Sequence, residues 1–157
     1  MNKEQLRQVW SQFATGVTLI TTLDSNNQVH GMTANALCSI SLDPPRALLS
    51  VGQQRATHNL VQDTKTFGVN ILTADQEAVA SYYAREKKDS PPPDGVEFWF
   101  TKQGAAILKE CLGYMDCRVV EEYIVADHTL FIAEIEESNS YDGSPLIFYQ
   151  GKYPQLN

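Results

Sequence analysis

The sequence predicts a mainly β protein, an antiparallel barrel of short strands capped by two or three helices. Three observations carry that prediction. β-Branched, aromatic or continuously apolar runs recur at residues 17–22, 47–51, 67–72, 114–123 and 129–136. Clusters of Asp, Asn, Ser, Pro and Gly separate them, and helical periodicity is confined to short stretches between.

The elements follow in order. Leu6, Val9, Trp10 and Phe13 recur at helical spacing, and Gly16 is placed to end that helix. Residues 17–22 (VTLITT) are mostly β-branched and read as a strand, and Asp24-Ser25-Asn26-Asn27 supplies its turn. Residues 31–45 (GMTANALCSISLDPP) read as one or two strands that stop at Asp43-Pro44-Pro45, because proline has no N–H to donate to a ladder. Residues 47–51 are almost wholly apolar and read as a central strand. Residues 53–60 form a loop entering a short helix, capped near Ala56 or Thr57. Residues 67–72 alternate as a strand. Thr73 and Gln76 have capping-box spacing ahead of an apolar helical face made by Ala78, Val79, Tyr82 and Tyr83. Residues 86–97, with Ser90-Pro91-Pro92-Pro93-Asp94-Gly95, form the one long loop-like stretch, of the kind used as lids or mobile connectors. The last third returns to strands, with Asp142-Gly143 as the hairpin turn between the final two.

The 157 residues fit one domain, residues 1–157, large enough to bury a core without disulfides or metals. No apolar run approaches the roughly 20 residues that span a bilayer. The first ten residues, MNKEQLRQVW, have acids and amides where a signal peptide needs an apolar core, so the expected location is the cytoplasm. Three cysteines (Cys38, Cys111, Cys117) in no CxxC spacing and three scattered histidines give no metal motif and no disulfide framework. A net charge of −7 argues against nucleic acid, which requires clustered Lys and Arg. The one basic cluster, Arg85-Glu86-Lys87-Lys88, is short and interrupted; it reads as a solvated loop or as a weak attractor of an anionic ligand.

Residues 31–45 combine small, hydroxylated and apolar side chains in a way that suits a flat, uncharged ring. Gly31, Ala34 and Ala36 let backbone come close to it, while Thr33, Asn35, Ser39 and Ser41 alternate as donors and acceptors. Arg55 and Thr57, one strand later, have the chemistry of a phosphate site at a helix start. The plainer reading of the same residues is a strand whose Ser and Thr face solvent.

Several ordered motifs separate these readings. Phe13-Ala14-Thr15-Gly16-Val17-Thr18 with Thr21-Thr22, Thr33-Ala34-Asn35-Ala36 through Ser39, Ser41, Leu42, Pro44 and Pro45, residues 67–72 written FxVNxL, Asp127-His128-Thr129, and Gly151-x-Tyr153 together resemble the flavin reductase-like family. That family contains short-chain NAD(P)H:flavin oxidoreductases built on the FMN-binding split barrel, and the likeness runs almost end to end. It implies a Greek-key split β-barrel, a homodimer, and transfer of a hydride from NADH or NADPH to FMN or FAD. The reduced flavin would go to a partner flavin-dependent monooxygenase. The resemblance further implies that Thr33, Ala34 and Asn35 hold the edge of the flavin ring, largely through backbone groups. Ser39, Ser50, Arg55 and Thr57 would serve its ribityl and phosphate, with Ala36, Cys38, Val51, Ala56, Arg85 and Tyr153 completing the cofactor-binding set. Family members often carry Ser where Ala56 stands, so one hydroxyl to the phosphate is absent here. His128 is the implied catalytic-site residue, at the face where nicotinamide arrives; alone, it reads as a strand-end histidine paired with Asp127. Tyr149 and Tyr153 either stack on nicotinamide or fill the barrel mouth. Two alternatives stand beside this reading. One is an FMN-bound electron-transfer flavoprotein with little NAD(P)H turnover; the other is a split-barrel protein that binds haem or no flavin.

Overall fold

A computed structural model describes residues 1–156. Its first half runs α1 (Lys3–Ser11), β1 (Thr15–Gly16), β2 (Thr18–Leu23), β3 (Val29–Ala34), β4 (Leu37–Leu42), β5 (Pro45–Gly52), α2 (Ala56–Thr64) and β6 (Thr66–Ile71). The second half runs α3 (Glu77–Ala84), β7 (Phe98–Phe100), β8 (Ala106–Leu108), β9 (Gly113–Val125), β10 (His128–Ser140) and β11 (Ile147–Phe148).

Seven strands form one antiparallel sheet in the order β3-β2-β6-β9-β10-β5-β4. Its two edge strands, β3 and β4, are consecutive in sequence and joined only by Asn35 and Ala36. The sheet therefore curls back on itself, and the gap in the ladder falls between two neighbouring strands of the chain. This is the split of the barrel, and the mainly β architecture agrees with the expectation.

β2 shows why the core has two parts. Leu19 and Ile20 point to opposite faces of the strand, yet both are fully buried. Ile20 joins Met32, Leu49, Val51, Phe67 and Phe131 inside the ring, with Val61 of α2 plugging one end. Leu19 joins a second cluster on the outer face, where Tyr83 of α3 and Ile107 of β8 cover the sheet. A sheet covered on both faces has strands with no polar side, which is why residues 17–22 read as uninterrupted.

Several local expectations are corrected. α1 is capped by the Asn2 side chain on the Glu4 amide, but it ends at Ser11 with Gln12 as its C-cap; Gly16 lies in β1, opposite Ile147 of β11. Asp142-Gly143 is not a hairpin turn between β10 and β11, because β11 pairs with β1. The tight hairpin joins β9 to β10 through Ala126 and Asp127, with Ala126 at φ 53°. β5 pairs on both sides, but only the edge strand β4 lies beyond it. Half of the proposed capping box forms: the Gln76 side chain reaches back to the Thr73 amide at 2.9 Å, ahead of α3. Gly31 is not kept free for a ring. A Cβ there would sit 2.7 Å from the Tyr83 ring, so its smallness lets α3 lie close on β3. The short β7–β8 hairpin after the proline-rich loop was not anticipated.

Candidate functional site

Several clefts meet at the split, where Asn35 stands between β3 and β4. The Asn35 amide donates to Thr15 Oγ1 at 3.2 Å, and the residue borders four adjoining clefts. The one with the most polar lining has a volume of about 470 Å³. Its floor is the end of β3 with Ala34 and Ala36; its wall is Ser50, Val51 and Gly52 of β5. Arg55 and His128 both line it, side by side at Gly52.

Local chain geometry explains these positions. The β5–β10 register sets His128 opposite Gly52 and Thr129 opposite Val51. The absence of a side chain at Gly52 leaves space beside the imidazole: a Cβ there would come within 3.6 Å of His128 Nε2. The hairpin turn is tied down where Gln53 N–H donates to Asp127 O at 2.9 Å. Asp127 Oδ1 lies 2.8 Å from His128 Nδ1, and this contact holds the Asp127 carboxyl below its usual range. Nε2 is thereby left toward the cleft, oriented by the carboxylate on the other nitrogen.

The start of α2 adjoins the same glycine, where a Cβ on Gly52 would also come within 3.7 Å of Arg55 Cγ. Arg55 precedes α2 in the N-cap position, where its side chain cannot accept from the helix amides. Its Nη2 donates to Ala84 O at 3.2 Å and its Nε pairs with Glu86 at 3.0 Å. Thr57 is buried beneath this rim rather than on it, its hydroxyl paired with His30 Nε2 at 3.1 Å. Burial first, and Lys88 second, push the His30 imidazole below its usual pKa.

The remaining residues named from the sequence fall around this centre. Thr33 borders the cleft, but its hydroxyl donates to Ala80 O of α3 at 2.6 Å. Tyr153 packs on Phe148, with centroids 5.6 Å apart, and borders a smaller apolar cleft of about 180 Å³ shared with Val17 and Ala84. Cys38 lies on the next cleft over, beside Ala36, Ser50, Trp10 and Phe13. Ser39 lies farther out, in a groove with Leu42, Tyr114 and Met115. Ala56 offers its backbone amide at the start of α2, and Arg85 stacks over Tyr82 at 5.6 Å. Tyr149 is turned to α1, its hydroxyl 3.3 Å from Gln12 Oε1. His128 also borders a broad cleft of about 670 Å³ beneath Leu6, Trp10 and Phe13.

Sequence reading missed Gly52, Gln54 and Glu86. Gly52 could have been found as the residue that ends a strong strand just before the phosphate-like segment. Glu86 carried one signal, an acid inside a basic run. Among the described residues no cluster of His, Cys, Asp and Glu could hold a metal.

The residues present fit a flat ring with an anionic tail. Small side chains and backbone line the floor, and a guanidinium with a helix start stands at one end. The flavin reductase like domain family model matches residues 10–157. The chain belongs to that family. Its relatives include an NADH-dependent flavin reductase of Rhodococcus sp, 38% identical, the alignment covering 96% of this chain and 85% of the relative. The reductase component of a 4-nitrophenol 4-monooxygenase/4-nitrocatechol 2-monooxygenase of Rhodococcus opacus is 31% identical, over 98% of this chain and 80% of the relative. Among solved structures of the family, flavin reductase PheA2 in its native state superposes with a TM-score of 0.89 at 38% identity, covering 100% of this chain and 99% of that one.

Proposed function

We propose that this protein is an NADH-dependent flavin reductase that uses FMN or FAD at the barrel split and passes the reduced flavin to a separate monooxygenase. The observation that carries this reading is the coincidence of the cleft with the family's own motifs: residues 33–36, 50–55 and 127–128 meet around Asn35. The NADH and the monooxygenase partner are carried over from what the relatives are.

A bound flavin supplies the hydride-accepting ring, and the protein's part is positioning. The backbone of Ala34–Ala36 and the Ser50 hydroxyl would hold the ring and its chain, and Arg55 with the start of α2 would meet the phosphate. His128, its Nδ1–H held by the Asp127 carboxylate, would present Nε2 to an incoming nicotinamide and, as a neutral imidazole, accept from the carboxamide N–H to keep it in register with the ring. Any N–H of residues 34–36 turned to the ring would favour the negative charge that a flavin gains on reduction. Tyr153 and Phe148 exclude water from the apolar end. No protein nucleophile is needed.

The assignment extends to assembly and location. α1 buries none of its residues, and Val9, Trp10 and Phe13 are 64%, 65% and 67% exposed. An apolar face of this kind is best covered by a second copy of the chain, so the working unit is a homodimer, and Trp10 and Phe13 lie at or near its contact. No described helix is long and apolar enough to cross a membrane. The proposed location is the cytoplasm, where NADH is supplied, and residues 1–157 act as a single domain.

The test is the absorption spectrum of the purified protein with FMN or FAD, before and after anaerobic NADH. Bleaching of the flavin band in repeated turnovers is expected. A flavin that stays bound and oxidised would overturn the reductase reading, and sedimentation as a fully active monomer would overturn the dimer.

A further inference from the structure

The run Arg85-Glu86-Lys87-Lys88 is not a freely solvated loop. Its acid reaches across to α2: Glu86 Oε1 accepts from the Ala56 amide at 2.9 Å, and Oε2 pairs with Arg55 Nε at 3.0 Å. One carboxylate thus occupies both donors at the anionic end of the cleft, as a small oxyanion would at a helix N-terminus. The contact is made from 30 positions away, because Arg55, in the N-cap position, offers no acceptor of its own.

The segment carrying Glu86 is anchored from behind. Lys88 donates to Arg85 O at 2.9 Å and lies over the Tyr82 and Tyr83 rings, while Tyr82 donates to Ser90 O at 2.8 Å. These contacts do not involve Glu86, so its carboxylate can swing out without unpacking α3. Both partners reach solvent, the Arg55 and Glu86 side chains being 32% and 46% exposed, so the pair separates at small cost.

We infer that Glu86 is a built-in competitor for the flavin phosphate: it holds Arg55 and the Ala56 amide when the site is empty and must leave for a phosphate to seat. The inference rests on reading the cleft as the flavin site. A phosphate carries more charge than one carboxylate and wins those donors when present. Glu86, tethered nearby, has a high effective concentration and retakes them as the phosphate lifts. The result is weakened binding of phosphorylated flavins and faster departure of the product, which suits a reductase that must surrender its flavin.

The experiment compares FMN with riboflavin, which lacks the phosphate, by fluorescence titration of the wild-type protein and Glu86→Gln. Glutamine keeps a carbonyl for the Ala56 amide and removes the charge. FMN should bind Glu86→Gln about tenfold more tightly, with riboflavin unchanged. Equal affinities for FMN in the two proteins, or weakening of both flavins, overturns the inference and leaves the flavin site intact. If neither flavin binds either protein, the reading of the cleft itself fails, and the inference with it. A second measurement needs no substitution. Saturating FMN should shift the Glu86 side-chain carboxyl resonance of the wild-type protein while riboflavin does not; an unmoved resonance overturns the inference.

Discussion

Two asparagines, Asn70 within a strand and Asn35 between two, divide the molecule. Asn70 is fully buried in β6, and every polar atom of its side chain is committed to the fold. Its amide donates to Leu19 O at 2.9 Å and to Thr21 Oγ1 at 3.3 Å, and its Oδ1 accepts from the Leu108 amide at 2.7 Å. Thr21 in turn donates to Ala106 O, so the pair stitches β8 to the barrel wall. Asn35 sits where the ladder is interrupted, exposed, with one side-chain bond to Thr15. The same side chain is a rivet in one place and a rim in the other. The difference lies in what surrounds it: a complete ladder with a covering hairpin leaves no capacity for a ligand, whereas the split leaves backbone and side-chain groups free to exchange partners.

The contrast can be tested from its heaviest side. Asn70→Ala leaves the Leu108 amide and the Leu19 carbonyl without their buried partner and should cost about 2–4 kcal/mol of stability. Urea unfolding should register that loss, while the remaining folded protein binds flavin within twofold of normal. Asn35→Ala should do the reverse, with little change in unfolding midpoint and weakened flavin binding. A large stability loss at Asn35 would erase the distinction.

Next in size is Arg55→Ala. Removing a charge-assisted contact should weaken FMN by about 1.5–3 kcal/mol and riboflavin hardly at all. Equal weakening of the two flavins in titration would mean that Arg55 does not meet the phosphate. His128→Ala should raise KM for NADH several-fold and slow anaerobic flavin reduction, with flavin Kd nearly unchanged. Stopped-flow reduction beside flavin titration decides this; lost flavin binding with normal reduction of the residual complex would move His128 to the wrong subsite.

The smallest effect belongs to the buried side. Asp116 is 1% exposed, and burial raises its carboxyl above the ordinary 3.8, opposed by a bond from Thr101 Oγ1 at 2.6 Å. The folded state therefore holds this proton to higher pH than the unfolded chain does. Stability from this group is greatest at low pH and declines as pH rises from about 3.8 through the raised folded value. Asp116→Asn, which can still accept from Thr101, should remove that decline from the pH profile of the unfolding midpoint. An unchanged profile would show that Asp116 is solvated as an ordinary carboxylate.

These regions also differ in how far the sequence discloses them. The strands were legible because β-branched runs stand out whether covered on both faces, as β2 and β6 are, or alternating in burial, as β5 and β10 do. The site's centre was legible through its motifs, since residues 33–36, Arg55 and His128 carry distinctive chemistry. What escaped was set by distance along the chain. β7 and β8 are three residues each, too short for a period to register. Asp142-Gly143 has turn chemistry, but β11 finds its partner in β1 rather than across that turn. Glu86 looked like an interruption of a basic run because its partners lie on another element. Thr57 matched the phosphate motif by type, yet its first helical turn faces inward to His30. Pattern reports which residues are available, and packing decides which of them are already spoken for.

The strap between α1 and β11 has a consequence for how the site is held together. β1 lies against β11, Gln150 N–H donates to Ser11 O at 3.1 Å, and the Gln150 amide reaches Gln12 across 138 positions. None of the seven strands of the main sheet takes part in this strap. The strap instead brings Trp10, Phe148 and Gly151 to one wall of the broad cleft. Fraying of those few bonds would open the cleft and leave every rung of the sheet's ladder in place, so the mouth can breathe while the barrel stands.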